Sequence, residues 1–400
     1  MIAVSKTQIM KESLESADFG LSSNHLSIGF DGKRAAQNFT GLGNYSRYII
    51  SILAEYYPLN SYKIYSAQKF TKQVSYANWN SSTIAVRHPR YKWFKSLWRS
   101  YGVSNDLKLD GIEIYHGLSN EIPFGTRKSG ISTVVSIHDL IFLRYPQYYP
   151  LFDRKVYEFK CRYACRNADK IIAISEQTKR DIIQFFNINE SRIEVIYQNC
   201  DQSFRHTIES ANLEHIKQSY DLPSKFVLNV GTIEPRKNLL LIVKALKRLD
   251  LDIHLVVIGR KTPYAKIVEK YIVENGLTHR VHFLSNVSQQ HLPRIYKLAE
   301  VFLFPSRFEG FGIPIIEALH SQTPVIAATG SCLEEAGGPD SIYISPDDEI
   351  ALAQAINSVL ANPEKRLKMI EAGVEYVKKF DDRLIAQKLI NLYQNLRSHA

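Results

Sequence analysis

Short β-branched runs alternate with helical stretches along most of this chain, in two successive series. Seven runs in the first series read as strands: HLSIGFD (25–31), YKIYS (62–66), STIAVR (82–87), GIEIYHG (111–117), STVVSIHD (132–139), KIIAIS (170–175) and RIEVIY (192–197). Six more form the second series: FVLNVG (226–231), IHLVVIG (253–259), VHFL (281–284), VFLFP (301–305), PVIAA (324–328) and SIYIS (341–345). Because this alternation is typical of parallel sheets covered by helices, the sequence predicts an α/β fold.

The two series predict two domains, and the length agrees, since 400 residues are too many for one ordinary core. We predict a polar N-terminal extension at 1–24, a first Rossmann-like domain at 25–205 and a second at 206–381. Ligands of parallel sheets bind at the carboxyl ends of the strands. The functional site is therefore expected in the cleft between two facing domains.

Targeting signals and cysteine usage favour a cytoplasmic protein. No window approaches the roughly 18 consecutive apolar residues of a membrane span, and the first residues lack the apolar core and cleavage site of a signal peptide. Cys161, Cys165, Cys200 and Cys332 form no CxxC pair. Reduced thiols in the cytoplasm are the simplest interpretation.

A basic aromatic segment, RHPRYKWFKSLWRSYG (87–102), carries five Arg or Lys residues and no acid. Trp93, Lys95, Trp98 and Arg99 lie within it. Such side chains at near-helical spacing suit an acceptor or an anionic membrane surface, which would place the protein peripherally on the inner face of the cytoplasmic membrane. They would equally suit a nucleic-acid backbone, or a solvated helix whose aromatic side chains face the core.

The stretch PSRFEGFGIPIIEAL (305–319) follows a predicted buried strand and carries two glutamates. Glu309 lies in a glycine-rich loop, close to the backbone N–H groups of Phe311 and Gly312. Glu317 is predicted in the first turn of the next helix, where the helix dipole favours a carboxylate, so a structural role alone would explain it. Glu309 has no such explanation, and a carboxylate facing a cleft suits sugar hydroxyls, from which it accepts hydrogen bonds.

The stretch NVGTIEPRKNLLLIVKAL (229–246) places Arg236 and Lys237 where a strand passes into a helix. Cations near a helix N-terminus oppose the helix dipole, so a bound anion would remove an unfavourable interaction. A diphosphate fits, because both side chains and free backbone N–H groups would contact it. The alternative is two solvated surface charges, but the strand–turn–helix context favours the phosphate site.

A glycine-containing turn follows the first strand. Gly41 and Gly43, in FTGLGNYSRYII (39–50), would let the backbone approach a ligand at a helix predicted to begin near Asn44. A purely structural turn explains these glycines equally well.

Two histidines follow strands in the first series. The strand STVVSIHD delivers His138 and Asp139 to its end, and hence to the predicted cleft. A histidine there suits catalysis as well as structure, and the adjacent aspartate favours catalysis. His116, at the end of another strand, is a secondary candidate.

Taken together, GLGNY, SIHDL, IAISEQTKRDI, GTIEPRKN and RFEGFGIPIIEAL resemble glycosyltransferase family 4, whose members are retaining enzymes of the GT-B fold. The resemblance covers nearly the whole chain, from about His25 to the last helix. SIHDLIFLRYP is most similar to bacterial mannosyltransferases that build O-antigen and exopolysaccharide repeat units. The resemblance implies GDP-mannose as donor, with a UDP-sugar as the alternative, and a saccharide or polyprenyl-diphosphate-linked saccharide as acceptor.

The resemblance implies that the second domain holds the nucleotide-sugar donor. Arg236 and Lys237 would bind its diphosphate, and Glu317 would bind the ribose. Glu309 would hold the transferred sugar, with the backbone of 311–312 beside the sugar hydroxyls or the phosphates.

The first domain would then hold the acceptor. His138 would lie beside the sugar at the reaction centre, while Gly41 and Gly43 would approach the phosphates when the cleft closes. Glu335 matches a further acidic position of the family. The resemblance also implies that the amphipathic last helix, at about 382–400, crosses back and packs on the first domain.

Two positions depart from the family pattern. In YQNCDQSF (197–204), Asn199 and Cys200 replace a common glycine step, although Asp201 remains. Glu334 stands where a proline commonly precedes the matching acid. Neither change touches the donor motifs.

The implied transfer needs no metal and no other cofactor. The one Asp-x-Asp sequence, at 250–252, precedes a strand and so is predicted at the amino edge of the sheet, opposite the ligand side. The acceptor hydroxyl would attack from the face that the diphosphate leaves, with no carboxylate nucleophile. The alternatives are a nucleotide-sugar epimerase and a non-catalytic glycan-binding module; no nucleic-acid partner is expected.

Overall fold

The computed structural model describes residues 25–38, 40–70, 84–89, 97–205 and 211–398. Within them the strands form two sheets in which every paired strand is parallel to its neighbour. This confirms the predicted α/β class. The predicted N-terminal extension lies outside the described residues.

The first sheet has the strand order β3-β2-β1-β4-β5-β6-β7. Its strands are β1 (Ser27–Asp31), β2 (Ser61–Tyr65), β3 (Ile84–Arg87), β4 (Ile114–Gly117), β5 (Ser132–Ile137), β6 (Lys170–Ala173) and β7 (Ile193–Val195). β1 pairs with β2 on one side and with β4 on the other. The strand order therefore reverses at β1, and ligands of open parallel sheets bind at such a reversal.

The second sheet repeats this plan, with the order β10-β9-β8-β11-β12-β13. Its strands are β8 (Phe226–Val230), β9 (His254–Ile258), β10 (Val281–Leu284), β11 (Val301–Phe304), β12 (Val325–Ala328) and β13 (Ile342–Ile344). Every residue of β11 and β12 is buried. Helices on both faces explain why these strands read as continuous apolar runs.

Helices connect the strands in both halves. Those of the first half are α1 (Lys33–Gln37), α2 (Gly41–Tyr56), α3 (Val103–Leu109), α4 (Ile141–Arg144), α5 (Leu151–Asn167) and α6 (Glu176–Phe186). Those that follow are α7 (Ala211–Ser219), α8 (Leu239–Leu246), α9 (Ala265–Glu274), α10 (Leu292–Leu298), α11 (Ile313–His320), α12 (Leu333–Gly337), α13 (Glu349–Leu360), α14 (Pro363–Tyr376) and α15 (Asp382–Arg397).

Tighter and wider helical turns occur between these elements. A π-helical turn spans Trp98–Gly102 and runs directly into α3. The 3₁₀ turns are Thr126–Ser129, Pro146–Tyr148, Glu190–Arg192, Gln202–Phe204, Pro235–Lys237 and Val377–Phe380. None of the helices in the described ranges is long and apolar enough to span a membrane.

The last helix, α15, returns to the first sheet, as the resemblance implies. The Tyr48 hydroxyl of α2 donates to Asp382 at 2.9 Å, and the Tyr57 hydroxyl donates to Gln387 at 2.6 Å. His116 hydrogen-bonds the buried Tyr393 hydroxyl at 2.7 Å. The two halves are therefore joined by this helix as well as by the chain that links their sheets.

The two halves also share apolar packing. Tyr197, just after β7, stacks on Phe311 with ring centroids 5.3 Å apart, and Phe380 meets both rings edge-on. Phe204 packs on Tyr296 of α10 at 5.6 Å. The stacking of Tyr197 on Phe311 holds the loop after β11 against the first domain.

Candidate active site

The loop between β11 and α11 places Glu309 among cations. Its Oε2 lies 2.7 Å from Arg236 Nη1, and its Oε1 lies 2.6 Å from Lys237 Nζ. The Ser306 hydroxyl also donates to Oε1. The two cations and the carboxylate that the sequence singled out separately thus form one cluster.

The charge of Glu309 follows from these neighbours. Burial raises the pKa of its carboxyl, but Lys237 and Arg236 outweigh burial and lower the pKa to about 2. Glu309 is therefore ionised at neutral pH and does not act there as a proton donor. An anion already lies against the cations that were predicted to bind a diphosphate.

Arg236 is held rigidly. Its Nη2 lies 2.6 Å from Glu234 Oε1, and its Nη1 donates to the Phe308 carbonyl oxygen at 2.5 Å. Burial lowers the pKa of the guanidinium, but Glu309 and Glu234 reverse this and raise it above its usual range. The planar guanidinium is thus preorganised for a second oxyanion.

Arg236 and Lys237 lie in a 3₁₀ turn, not in the first turn of α8 as the sequence suggested. Asn238, with φ of 60°, ends this turn before α8 begins at Leu239. Its side-chain amide donates to the carbonyl oxygens of Pro305 and Pro346 at 3.2 and 2.7 Å. These bonds fix the turn against the loop that carries Glu309.

Two glycines bring the ends of β8 and β9 together beside Lys237. A Cβ on Gly259 would lie 1.8 Å from the Gly231 carbonyl oxygen. Gly231 itself has φ of 146°, which side chains rarely adopt, and a Cβ added there would have Lys237 Cε as its nearest atom, at 3.8 Å. Among the described residues, no side chain therefore covers the backbone of Gly231 next to the Lys237 ammonium group.

The Glu309 loop contacts the loop after β5 in the first domain. A Cβ on Gly310 would lie 2.3 Å from the His138 carbonyl oxygen. The Ser175 hydroxyl, which caps α6, donates to the Gly310 carbonyl oxygen at 2.8 Å. The cleft is therefore closed at this point, and His138 and Glu309 belong to one site.

His138 is buried and neutral. Its ring Nε2 lies 2.9 Å from the Leu118 carbonyl oxygen, so Nε2 carries the proton and Nδ1 is the acceptor. Burial lowers the pKa of the imidazole to about 4. The ring packs edge-on against Tyr45 of α2 at 4.5 Å, and the Asn120 side chain accepts from the His138 backbone N–H.

Asp139 is a further titratable group that the sequence pointed to only as a neighbour of His138. Burial raises the pKa of its carboxyl, although Arg236 acts in the opposite direction. A Cβ on Gly310 would lie 3.3 Å from Asp139 Cβ. In the sequence, its position directly after the strand β5 was the feature that could have marked Asp139 as a site residue.

Glu317 has a different environment. Its Oε2 accepts a hydrogen bond from the Tyr296 hydroxyl at 2.9 Å, and burial raises the pKa of its carboxyl to about 7. The predicted first-turn position is wrong, because α11 begins at Ile313 and has no acid in its first turn. A helix-start role therefore does not explain this residue.

Phe311 and Gly312, whose backbone N–H groups were predicted to face the sugar or the phosphates, also have structural roles. Phe311 is buried against Tyr197. Gly312, with φ of 131°, starts α11, and a Cβ there would lie 3.1 Å from Ala336. A side chain at Gly312 would thus be both strained and crowded.

The glycines of the first domain differ from each other. α2 begins at Gly41, earlier than the predicted start near Asn44. A Cβ on Gly43 would lie 1.8 Å from the Asn38 carbonyl oxygen, whereas a Cβ on Gly41 would meet nothing within 4 Å. Gly43 is therefore needed for packing, and Gly41 leaves the start of the helix uncovered.

The basic aromatic segment is described in part. Trp93 and Lys95 lie outside the described residues. Trp98 packs against buried residues beside α3, and its indole donates to Asp106 at 2.7 Å. Arg99 Nη2 lies 2.7 Å from Glu121. The described part thus has its tryptophan turned toward the core, which was one of the interpretations left open.

Glu335 of α12 joins the two halves. Its carboxylate accepts the backbone N–H groups of Glu176 and Gln177, at 2.6 and 3.0 Å, at the start of α6. Burial raises the pKa of this carboxyl, and the two backbone hydrogen bonds partly offset it. From the sequence, Glu335 was recognisable only as an acid at a position that matches the family, because the residues it contacts lie far away along the chain.

No group of three His, Cys, Asp or Glu side chains suited to a metal occurs within the described ranges. The Asp-x-Asp sequence ends just before β9, and Asp252 lies 2.7 Å from Lys225. Positive charge at the described site is supplied by Arg236 and Lys237.

Two family models match the chain, one in each half. Residues 66–203 match the model described as glycosyltransferase family 4. Residues 212–376 match the model described as glycosyl transferases group 1, and this part contains Arg236, Lys237, Glu309 and Glu317.

Two bacterial mannosyltransferases are similar in sequence to most of this chain. The O-antigen chain mannosyltransferase B of Escherichia coli is 25% identical over 372 residues, which cover 89% of this chain and 96% of that protein. The O-antigen chain mannosyltransferase RfbU of Salmonella typhimurium is 29% identical over 273 residues, or 65% of this chain and 71% of the relative.

Solved structures share the two-domain arrangement. HepE of Anabaena, in complex with UDP and glucose, matches with a TM-score of 0.73 and 18% identity, over 93% of this chain and 100% of that one. A glycosyltransferase of Rickettsia africae matches with a TM-score of 0.75 and 18% identity, over 94% and 100%. These likenesses concern the fold.

Proposed function

Since this chain belongs to glycosyltransferase family 4 and has the GT-B fold, we propose that it transfers mannose from GDP-mannose to a saccharide or lipid-linked saccharide, with retention of configuration. The observation that carries the proposal is the cluster of Arg236, Lys237 and Glu309 at the contact between the two domains. Synthesis of a cell-surface polysaccharide is the proposed setting, because two relatives are named for O-antigen chains.

The donor diphosphate is proposed to bind Arg236 and Lys237. In the described structure both cations contact Glu309, so an entering diphosphate would compete for the same donors. Glu309 would then turn from the cations to the hydroxyls of the sugar. Glu309 and Glu234 together would thus balance the two cations when the site is empty, and Glu309 would hold the sugar when the site is occupied.

The bond changes follow from this placement. The bond between the anomeric carbon and the diphosphate oxygen breaks, and a bond to the acceptor oxygen forms on the same face of the sugar. The acceptor proton passes to a phosphate oxygen of the leaving group. Arg236 and Lys237 stabilise the charge that develops on the leaving diphosphate. Positioned cations in place of a metal make the proposed transfer independent of metal and other cofactors.

His138 is proposed to position the sugar, not to transfer a proton. With the pKa lowered to about 4, the ring is neutral at physiological pH. Its Nδ1 remains an acceptor for a sugar hydroxyl. Glu317 is proposed to accept hydrogen bonds from the ribose hydroxyls, which a carboxylate does better than a carboxylic acid.

A UDP-sugar is the second candidate donor, because the structural neighbour HepE is complexed with UDP and glucose. The two donors differ in the base, and the described contacts of Arg236, Lys237 and Glu309 concern the diphosphate and the sugar. Choice of base would therefore come from other residues.

The deciding experiment is a donor screen without added metal. We expect GDP-mannose to raise the melting temperature and to be hydrolysed slowly, since a ligand bound only by the folded state stabilises it. Lys237→Met should abolish both effects, whereas Lys270→Met, at an exposed lysine of α9, should not. A response to UDP-glucose alone would select the second donor. Silence from both, or a requirement for magnesium, would contradict the proposal.

Peripheral contact with an anionic membrane is also proposed. Phe152 and Phe159, seven residues apart on one side of α5, are 78% and 61% exposed. Tyr101 is 61% exposed, and Phe124 bridges it to Phe159. Aromatic side chains at the surface beside basic residues suit a lipid interface.

The membrane proposal is tested by sedimentation with vesicles. We expect binding to phosphatidylglycerol vesicles and little to phosphatidylcholine vesicles. Phe152→Ser should weaken it by several-fold, on the order of the loss for one buried aromatic ring, while Ile267→Ser, at another exposed apolar site, in α9, should not. Equal binding of both variants would contradict this surface assignment.

A further inference from the structure

The start of α6, in the first domain, is bound by two segments of the second domain. Glu335 of α12 accepts the backbone N–H groups of Glu176 and Gln177, and the Ser175 hydroxyl donates to the Gly310 carbonyl oxygen. The first N–H groups of a helix have no acceptor within the helix, and a carboxylate there also meets the positive end of the helix dipole. A carboxylate of the second domain therefore completes a helix of the first domain.

The position of Glu335 is fixed within its own domain. Its backbone carbonyl oxygen accepts hydrogen bonds from the Tyr376 hydroxyl at 2.9 Å and from the Lys379 ammonium at 3.2 Å. Its side chain is only 16% exposed, and the Tyr197 hydroxyl, just after β7, donates to the carboxylate at 3.4 Å. Hydrogen bonds to a carboxylate are stronger than those between neutral groups. Glu335 is thus a firmly held acceptor for the start of α6.

The first turn of α6 also contacts both loops of the candidate active site. The Thr178 hydroxyl lies 3.3 Å from the His138 carbonyl oxygen and 3.4 Å from the Gly310 carbonyl oxygen. Gly310 directly follows Glu309, and a Cβ on Gly310 would lie 2.3 Å from the His138 carbonyl oxygen. The loops that carry His138 and Glu309 therefore meet at this turn. A movement of the turn would change the distance between these two side chains.

Opening of the cleft would break the contacts at this turn together. The hydrogen bonds from Glu176 and Gln177 to Glu335, and the one from Ser175 to Gly310, all join one domain to the other. Separation of the domains would leave the two N–H groups to water. Because Glu335 binds α6 only when the domains meet, it favours the closed state over an open one.

We infer that Glu335 is a positioning residue for the transfer: by capping α6 across the cleft, it holds the closed state in which His138 and Glu309 face the same sugar. The inference rests on the proposed glycosyl transfer and adds a residue that acts through α6. Formation of the cap couples closure of the two domains to completion of the site.

A distance measurement between the domains tests closure without any substrate. The side chains of Lys155 in α5 and Lys270 in α9 are 69% and 75% exposed, whereas the four native cysteines are buried. Spin labels on Lys155→Cys and Lys270→Cys should give one narrow distance distribution. Glu335→Ala should add a population at longer distances. Glu334→Gln, at an exposed neighbour that bonds Thr329 within its own domain, should not.

Single-turnover hydrolysis of GDP-mannose tests the effect on the reaction, because this rate does not include product release. Glu335→Ala should lower the rate roughly 100-fold, and Glu335→Gln, which keeps one acceptor oxygen, roughly 10-fold. Glu334→Gln should keep the wild-type rate. Donor affinity should stay close to wild type in all three variants, because Arg236 and Lys237 lie on the second domain. A loss of rate without a loss of affinity is the result that a positioning role predicts.

The inference and the proposed function fail in different ways. If Glu335→Ala lowers the melting temperature but leaves the distance distribution and the rate as in the wild type, Glu335 only caps α6 and the inference is wrong. An equal loss of rate in Glu334→Gln would also overturn it. Should Glu335→Ala fail to fold, Glu335→Gln serves for both measurements. If the wild-type protein hydrolyses no donor, the proposed function is wrong, while the distance measurement still decides whether Glu335 holds the domains together.

Discussion

Glu309 and Glu317 lie eight residues apart in one short stretch, on either side of the start of α11, and their carboxyl groups shift in opposite directions. Burial raises the pKa of both. At Glu309 two cations within 2.7 Å reverse that effect and give a pKa of about 2. At Glu317 the main partner is the neutral Tyr296 hydroxyl, and the pKa rises to about 7.

The comparison shows that the paired-glutamate motif contains two different chemical groups. Glu309 is ionised at neutral pH and, in the proposed function, would compete with the donor diphosphate for Arg236 and Lys237. Glu317 changes its charge close to neutral pH, so its hydrogen-bonding capacity depends on conditions. A carboxylate becomes one or the other according to the cations that tertiary structure brings to it.

The largest effect is expected for Glu309→Gln. The amide cannot reproduce the charge between Arg236 and Lys237 or accept as strongly from sugar hydroxyls, so kcat should fall roughly 100- to 1000-fold. Glu317→Gln at pH 6, where Glu317 is largely protonated, should cost less than about 10-fold. Steady-state kinetics of both variants with one donor measures the difference, and equal losses would contradict the division of roles.

Removing one of the two cations beside Glu309 should bring the pKa of Glu309 closer to that of Glu317. The folded-state pKa of Glu309, about 2, is below its ordinary value of 4.5. Its stabilising contribution is therefore present above pH 4.5 and is lost as the pH falls toward 2. Lys237→Met removes the strongest opposing charge, so the midpoint of acid unfolding should move upward.

Near-ultraviolet circular dichroism across pH 2 to 5 follows this shift. Lys270→Met removes one charge from an exposed ion pair with Glu274 and should leave the midpoint in place. If both variants move it equally, net charge and not the Glu309 pair controls acid stability.

The fold was predictable because the alternation of apolar strands and amphipathic helices is visible in local sequence. The buried strands of both sheets were visible as apolar runs, and the same pattern placed the candidate site residues at the carboxyl ends of those strands. Helix starts were less accurate: α11 begins at Ile313 because Gly312 adopts φ of 131°, a conformation that no apolar periodicity records. That error placed Glu317 in a first turn that it does not occupy.

The ion pairs of the site were not predictable from sequence. Arg236 and Lys237 meet Glu309 only because β8 and β11 are neighbours in the sheet. Glu335 reaches the start of α6 across the cleft. The sequence identified the charged residues, but their partners depend on packing between distant segments.

The contribution of Glu317 to the free energy of unfolding should depend on pH with the opposite sign to that of Glu309. Its folded-state pKa, about 7, lies above its ordinary value of 4.5, so the folded protein binds the proton more tightly than the unfolded chain. Its stabilising contribution is present below pH 4.5 and is lost as the pH rises through 7. Relative to Glu317→Gln, wild-type stability should fall by roughly 2 to 3 kcal/mol between pH 5 and 8.

Urea unfolding of both proteins across this range checks the slope. Glu309→Gln should retain the wild-type slope, since Glu309 is ionised throughout the range. A wild-type protein that gains stability relative to Glu317→Gln as the pH rises would show that Glu317 is stabilised as an anion, and the contrast with Glu309 would disappear.

The smallest effect is expected for Tyr296→Phe. The Tyr296 hydroxyl lowers the pKa of Glu317, opposing burial. Its loss should therefore raise that pKa further, by about one unit or less, which is the scale of a single hydrogen bond. The proposed ribose contact needs the carboxylate, so the pH at which donor affinity is half-maximal should move upward by the same amount. Calorimetric donor binding from pH 6 to 9 measures this shift. If affinity weakens equally at every pH, Tyr296 shapes the pocket without tuning the carboxyl group, and Glu317 owes its titration to burial alone.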